Sequence, residues 1–274
     1  MTHISLDALA VMVPDGALVA LPPDNSTPPH ALVHALIRAG KRGLRLLGVP
    51  VSGYATDLLI GAGCVAELQS SGVTLGEAGG APRFLAALAA GSIVMTDATC
   101  PAIHTMLQAA EKGVPFMPLR GIMGSDILAH RPDWRVIDNP FAEGADPIVL
   151  LPALSPDIAL FHGVMADPDG NVYVGRRREL ATMAHASRRS LVTVERFIET
   201  NLLEDERLAA GTIAGTYVEA VAVAERGAWP SALLDEYAAD AAHLSDYARL
   251  ARTGDGFRAY LERHVFHSRL EAAE

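Results

Sequence analysis

The sequence predicts an α/β fold with an open, mainly parallel sheet flanked by helices. Short apolar runs recur between Pro, Gly and Asp residues. They include Ile148-Val149-Leu150-Leu151 before Pro152, Ile158-Ala159-Leu160-Phe161 after Ser155-Pro156-Asp157, and Val172-Tyr173-Val174. Uninterrupted runs of this kind read as strands buried on both faces. Stretches with helical periodicity alternate with them, and strands alternating with helices imply a doubly wound parallel sheet. Between two of the runs lies Pro168-Asp169-Gly170-Asn171. Pro168 presets φ, and Gly170 or Asn171 can take positive φ, so this is a turn. It is either a plain connection between core strands or the rim of a site at a sheet end.

In chain order, residues 1–13 form a weakly amphipathic start, 14–16 a turn and 17–21 a short strand. Residues 22–27 form a stiff polar loop. Thr27 is a credible N-cap, with Pro28 in the first turn of a helix over 28–39. Val33, Leu36 and Ile37 share one face of that helix, and Gly40 stops it. A strand over 44–51, a helix over 54–60 and a strand over 64–68 precede a glycine-rich loop at 72–80. A helix over 82–90 and a strand over 92–96 follow. The clearest helix spans 99–112, with Pro101 near its start, Ile103, Met106, Leu107 and Ala110 along one face, and Gly113 closing it. Next come a strand over 114–119 and a loop at 120–126. Strands over 190–194 and 217–223 and helices over 235–252 and 257–266 complete the pattern. Tyr237, Ala241, Leu244 and Ala248 line one side of the first of these helices. Residues 1–274 read as one domain, with a C-terminal helical segment from about 235 packed on it. In open parallel sheets ligands sit outside the carboxyl ends of the strands. That rule selects the loops after Leu21, Val51, Thr96, Leu119 and Val164.

Composition narrows the function. Half of the 274 residues are hydrophobic and 5% are aromatic, so Ala, Val and Leu must build the core. The formal net charge of -10 argues against a nucleic-acid binder, which needs a basic face. Cys64 and Cys100 are the two cysteines, without paired spacing, so neither a disulfide framework nor a zinc knuckle is expected. No apolar run approaches the roughly 18 residues of a membrane span. No basic stretch followed by an apolar core marks a signal peptide. The expectation is a cytoplasmic protein with no membrane or nucleic-acid partner.

Several residues are candidates for chemistry. In the loop Arg120-Gly121-Ile122-Met123-Gly124-Ser125-Asp126, Arg120 offers a planar fork for a carboxylate or phosphate. Ser125 adds a hydroxyl there, and Asp126 could orient Arg120 or cap a short helix toward His130. The alternative is a surface turn with an Arg–Asp ion pair. Glu77 sits beside Gly79 and Gly80, with the access a nucleophile or base needs, or is a solvated loop residue. Cys100, at a helix N-terminus one turn from His104, is either a reactive thiol or a small hydrophobe. His30 and His34 lie one helical turn apart without an acidic neighbour, so no metal site is expected. Arg176-Arg177-Arg178 is a solvated face or meets an anionic ligand or an acidic partner.

Several stretches in order carry a resemblance. They are 58–65, Gly76-Glu77-Ala78-Gly79, Ala81-Pro82-Arg83-Phe84, Val114-Pro115-Phe116-Met117-Pro118-Leu119-Arg120-Gly121, Gly124-Ser125-Asp126 and Ala166-Asp167-Pro168-Asp169-Gly170-Asn171-Val172. Together, over roughly residues 15 to 250, the chain resembles the A (α) subunit of family I coenzyme A transferases, the glutaconate CoA-transferase type. The resemblance implies the open α/β fold shared by CoA transferases and sugar-phosphate isomerases. It also implies a B-type partner subunit in an A–B heterodimer, often doubled. The substrates it implies are acyl-CoA and a carboxylic acid, with coenzyme A as substrate and no permanently bound cofactor. In two-subunit members the nucleophilic glutamate belongs to the B chain, in a Ser-Glu-Asn-Gly-like segment with no match here. Glu77 lies in the A-type Gly-Glu segment, so the nucleophile role is not transferred to it. A-type subunits usually carry a glycine-rich loop after the first strand. Here that loop reads Pro22-Pro23-Asp24-Asn25-Ser26-Thr27, in which Asn25 and Ser26 could still donate hydrogen bonds. A related branch opens steroid rings on CoA thioesters and has an acidic residue of its A-type subunit near the start of the helix before the Pro-Phe strand. The nearest equivalents here are Asp97 and Cys100, and Cys100 argues against the hydrolase. A third alternative is a non-catalytic chain that completes or regulates the site of its B-type partner.

Overall fold

The computed structural model describes residues 2–233 and 235–266; residues 267–274, with His267 and the end of the expected C-terminal segment, lie outside the described residues. The chain opens with β1 (Thr2–His3), α1 (Leu6–Val11), β2 (Leu18–Leu21), α2 (His30–Arg38), β3 (Leu44–Gly48), α3 (Tyr54–Gly61) and β4 (Val65–Ser70). It continues with α4 (Pro82–Ala89), β5 (Val94–Asp97), α5 (Cys100–Glu111), β6 (Phe116–Leu119), β7 (Arg135–Asp138) and β8 (Pro147–Pro152). Then come β9 (Ile158–Ala166), β10 (Val172–Tyr173), α6 (Arg178–Ala186), β11 (Ser190–Phe197), α7 (Glu206–Ala209), β12 (Thr212–Ile213) and β13 (Ala220–Val223). The helices α8 (Ala241–Leu250) and α9 (Gly254–Leu261) end in a π-helical turn, Glu262–Phe266.

The main sheet runs β1-β13-β11-β9-β2-β3-β4-β5, and every pairing along that path is parallel. Among the described residues its antiparallel pairings are those of β10 with β9 and with β12. Alternation along the strands fills two cores, because successive side chains leave opposite faces of a sheet. Leu46, Leu160 and Leu191 enter one core with α1 to α4, α8 and α9. Their neighbours Leu47, Phe161 and Val192 enter the other with α5 and α6. This is the open parallel α/β architecture expected from the runs at 158–161 and 190–194.

Some elements differ from expectation. The runs at 114–119 and 148–151 do not join the parallel sheet. They form β6 and β8 of a separate antiparallel sheet, ordered β6-β8-β7. Pro115 and Pro118 lack the N–H that an inner strand needs, which confines this segment to an edge. Thr27 is not an N-cap. It holds φ 49°, and α2 begins at His30 without a side-chain cap. The long helix expected over 235–252 begins only at Ala241, where the Asp240 side chain accepts from the N–H of His243 at 2.9 Å. The Pro168–Asn171 turn forms with Gly170 at φ 83°. Buried Asp167 holds it, accepting from the backbone N–H groups of Asp169, Asn171 and Leu202 and from Asn171 Nδ2 at 2.7–3.0 Å.

Candidate active site

Parallel strands end at one edge, and their loops meet there. The segments after β2, β3 and β4 wall a cleft of 930 Å³. Asp24 and Asn25 come from the first, Ser52 and Gly53 from the second, and the turn around Glu77 from the third. Helices close the rest: His104 of α5, Glu179 of α6, and Ala241, Leu244 and Ser245 of α8. Ser231 and Ala232 complete one wall.

Asp24 is placed by close packing. Its carboxylate accepts the N–H of Tyr54, in the first turn of α3, at 2.9 and 3.2 Å. A Cβ on Gly53 would sit 2.3 Å from Asp24 Oδ2, so only glycine lets the carboxylate reach that N–H. Burial raises the Asp24 carboxyl from 3.8 to about 6; the Tyr54 N–H opposes this and the charge of Asp57 adds to it. His30 Nε2 lies 4.0 Å from Asp24 and 3.0 Å from Ser231 Oγ. His30 is fully buried, and burial holds it well below the ordinary imidazole range and therefore neutral. Burial also lowers His104, against the opposing pull of the Glu179 charge. The hydroxyl of buried Ser26 donates to Glu179 Oε1.

Beneath this wall a buried hydroxyl network fastens α8 and α9. Tyr247 donates to Asp57 Oδ2 at 2.6 Å, while Asp57 Oδ1 accepts the N–H of Phe84 at 2.7 Å. The hydroxyl of Tyr260 lies 2.6 Å from both the Tyr54 hydroxyl and His243 Nε2. These contacts fix the helix that carries Leu244 and Ser245 into the cleft.

The sequence candidates divide. Asn25 and Glu77 lie on the cleft wall, exposed. Ser26 is behind it, holding Glu179. Arg120, Ser125 and Asp126 are not on the wall. Arg120 follows β6 of the small sheet, 65% exposed, and its fork engages Asp146, not Asp126. β6 pairs in the small antiparallel sheet and not in the parallel one, so the 120–126 loop does not line this cleft. Ser125 caps the 3₁₀ turn Asp126–His130, accepting the N–H of Ile127 at 3.3 Å. Cys100 is exposed at the start of α5, with Sγ 3.1 Å from Ser71 Oγ. His30 and His34 are buried, and His34 Nε2 lies 3.4 Å from the Tyr54 hydroxyl. The sequence pattern does not mark Asp24, His104 or Glu179 as site residues. Asp24 sits in a loop that the strand-end rule does select, so position alone could have found it; nothing local marks Glu179.

Fold and cleft together define an open α/β domain with a cleft at the carboxyl ends of its parallel strands. The family profile described as Coenzyme A transferase matches residues 4–224. The A-type subunit of glutaconate CoA-transferase from Acidaminococcus fermentans is 31% identical, over 95% of this chain and 86% of its own. The crystal structure of glutaconate coenzyme A-transferase from that organism superposes with a TM-score of 0.87 at 28% identity, covering 97% of this chain and 89% of the other. The cholesterol ring-cleaving hydrolase IpdA subunit of Rhodococcus jostii is 29% identical over 86% of this chain and 82% of its own. An uncharacterized protein of Archaeoglobus fulgidus is 29% identical over 86% of this chain, which spans 52% of that protein's length. The chain belongs to the coenzyme A transferase family.

Proposed function

We propose that this chain is the A-type subunit of a two-subunit CoA-transferase that moves CoA between two carboxylic acids. The observation that carries the reading is the cleft at the strand ends, on a chain similar to the A-type subunit of a CoA-transferase through nearly its whole length. A glutamate of the B-type partner attacks the acyl-CoA carbonyl and expels CoA thiolate, leaving a mixed anhydride. The thiolate then attacks the glutamyl carbonyl of that anhydride and releases the first acid. The second acid attacks the glutamyl-CoA thioester, and the returning thiolate takes its acyl group and frees the glutamate. Each step replaces one difficult exchange by an easier one.

This chain supplies the wall against which the acyl group is held. Asn25 offers its exposed amide to the acyl oxygen, and Ser26 positions Glu179. Phe116 and Ile137, which share one face of the small sheet, and Phe141 at 95% exposure are exposed apolar side chains suited to the B chain. The reading requires no resident cofactor. It also puts the protein in the cytoplasm, where Cys64 and Cys100 stay free. No helix among the described residues is long and apolar enough to cross a membrane.

The test compares this chain, its B-type partner and the mixture, with acyl-CoA and an isotopically labelled carboxylate. Exchange only in the mixture is expected. Exchange by this chain alone, abolished by Glu77→Gln, would overturn the assignment of the nucleophile to the partner. The similarity to the ring-cleaving hydrolase subunit supports a second reading, and net consumption of water by the mixture on a cyclic dione thioester would select it. Cys100 in the first turn of α5 weighs against that outcome.

A further inference from the structure

Glu195, near the carboxyl end of β11, is not on the cleft wall. Its side chain is 9% exposed, yet it accepts four hydrogen bonds. The Arg226 N–H donates to Oε2 at 2.7 Å. The Gly227 N–H, at 3.2 Å, and the Tyr237 hydroxyl, at 2.9 Å, donate to Oε1. His162, on the adjacent strand β9, supplies the fourth from Nε2 at 2.8 Å. Burial keeps His162 neutral against the pull of the Glu195 charge. Nε2 therefore carries the proton, and Nδ1 accepts from the Thr193 hydroxyl at 2.8 Å. Burial pushes the Glu195 carboxyl up, but the bonds from His162, the Arg226 N–H and Tyr237 outweigh it and hold it ionised, below its ordinary range. The Ala228 N–H donates to the Tyr237 oxygen at 3.0 Å. Three successive N–H groups, 226 to 228, thus converge on this carboxylate and its tyrosine, as in a backbone nest whose anion is built into the chain.

The nest lies in the segment between β13 and α8. Gly227 is required in it, since a Cβ there would lie 2.5 Å from the His162 ring. Among the described residues three non-glycines hold positive φ: Thr27, Arg226 and Asp235. Two belong to this segment, and the carbonyl of Thr27 accepts the His162 N–H at 2.9 Å. Strain of this kind persists only where surrounding contacts hold it. From the nest the backbone runs to the cleft. The Gly227 carbonyl accepts the Ala31 N–H of α2 at 3.0 Å, and Ser231 Oγ meets His30. Ala232 and Ala239 are exposed on the cleft wall. The N–H of Asp240, the cap of α8, donates to the Pro230 carbonyl at 2.9 Å, so the segment also fixes where α8 begins. We propose that Glu195 is a positioning residue that sets which acyl groups the cleft accepts, by holding the 226–240 segment and the start of α8 in place. This rests on the transferase reading for the placement of the acyl group.

The experiment uses the assembled A–B pair carrying wild type, Glu195→Gln or Tyr237→Phe, with acetyl-, butyryl- and hexanoyl-CoA and a labelled carboxylate. Glutamine keeps the size of the side chain but sets an amide donor against a backbone N–H. Glu195→Gln should change the ratio of kcat/KM between the shortest and the longest acyl chain by at least about fivefold. Tyr237→Phe, which removes one donor, should change it in the same direction by at least about twofold. It carries the comparison if Glu195→Gln does not assemble. A role in stability alone lowers all three thioesters by one factor, and an unchanged ratio would overturn the proposal. Trypsin cleavage after exposed Arg226, followed by mass spectrometry on this chain, gives a readout without turnover. Cleavage should quicken by at least about tenfold in Glu195→Gln. An unchanged rate would show that Glu195 does not hold the segment. If wild type turns over none of the thioesters, the transferase reading fails, and the ratio of their binding constants, measured by calorimetry on the same pairs, decides the role of Glu195.

Discussion

Asp24→Asn should make the protein more stable near neutrality, although it removes a carboxylate that accepts a helix N–H. The Asp24 carboxyl rises from 3.8 to about 6 on folding, chiefly through burial. The folded state therefore holds the proton more tightly than the unfolded chain does. Stability is highest where the group is protonated in both states and falls as pH rises from about 4 to about 6. Above that window the ionised group costs roughly 3 kcal/mol, since each pH unit is worth ~1.4 kcal/mol. An asparagine keeps one carbonyl oxygen for the Tyr54 N–H and carries no charge, so it avoids most of that cost. The lost second contact, at 3.2 Å, reduces the gain to about 1–3 kcal/mol. The assay is urea denaturation of wild type and Asp24→Asn in steps from pH 4 to pH 8. The difference between them should grow with pH through the window and level off near pH 7. A difference that is independent of pH, or that favours wild type more as pH rises, would refute the argument that burial governs this carboxyl.

Two further outcomes follow from the geometry. Arg120→Ala should leave kcat/KM of the A–B pair within about twofold and cost at most about 1 kcal/mol, because Arg120 is 65% exposed, paired with Asp146 and outside the cleft. A loss of one or more decades in kcat/KM would return Arg120 to the substrate. Tyr247→Phe should cost about 1–3 kcal/mol in urea denaturation, since it leaves buried Asp57 Oδ2 without its donor. A stability within a few tenths of wild type would show that water replaces the hydroxyl and that α8 does not depend on this contact.

The fold was legible wherever an apolar run stood alone between breakers. Residues 158–161, 190–194 and 99–112 each carry their structure locally, in periodicity, β-branching or a Pro and Gly pair, and each forms close to where the pattern places it. The run at 114–119 has the same composition and a different fate, because two prolines limit the neighbours it can pair with. Composition marks a strand, but the pairing that decides its sheet lies in the distant partner at Pro147–Pro152. The whole Arg120 to Asp126 loop moved with that one assignment.

The cleft was half legible for a related reason. The rule for strand ends in parallel sheets selects the loops after Leu21 and Val51, and it needs only the order of elements. The remaining walls depend on contacts that no local pattern encodes. Ser26 meets Glu179 from 153 positions away, and Tyr247 meets Asp57 across 190. In Asp57-Leu58-Leu59 and in Tyr247-Ala248-Arg249-Leu250 the polar residue looks like part of an amphipathic helix, whereas both are fully buried. Each is tolerated there because the other satisfies it. That mutual dependence makes α8 part of the cleft and not an appendage to it. Substitutions at Leu244 and Ser245 should therefore alter which acyl group is accepted, while substitutions at Tyr247 should alter whether this wall is present at all.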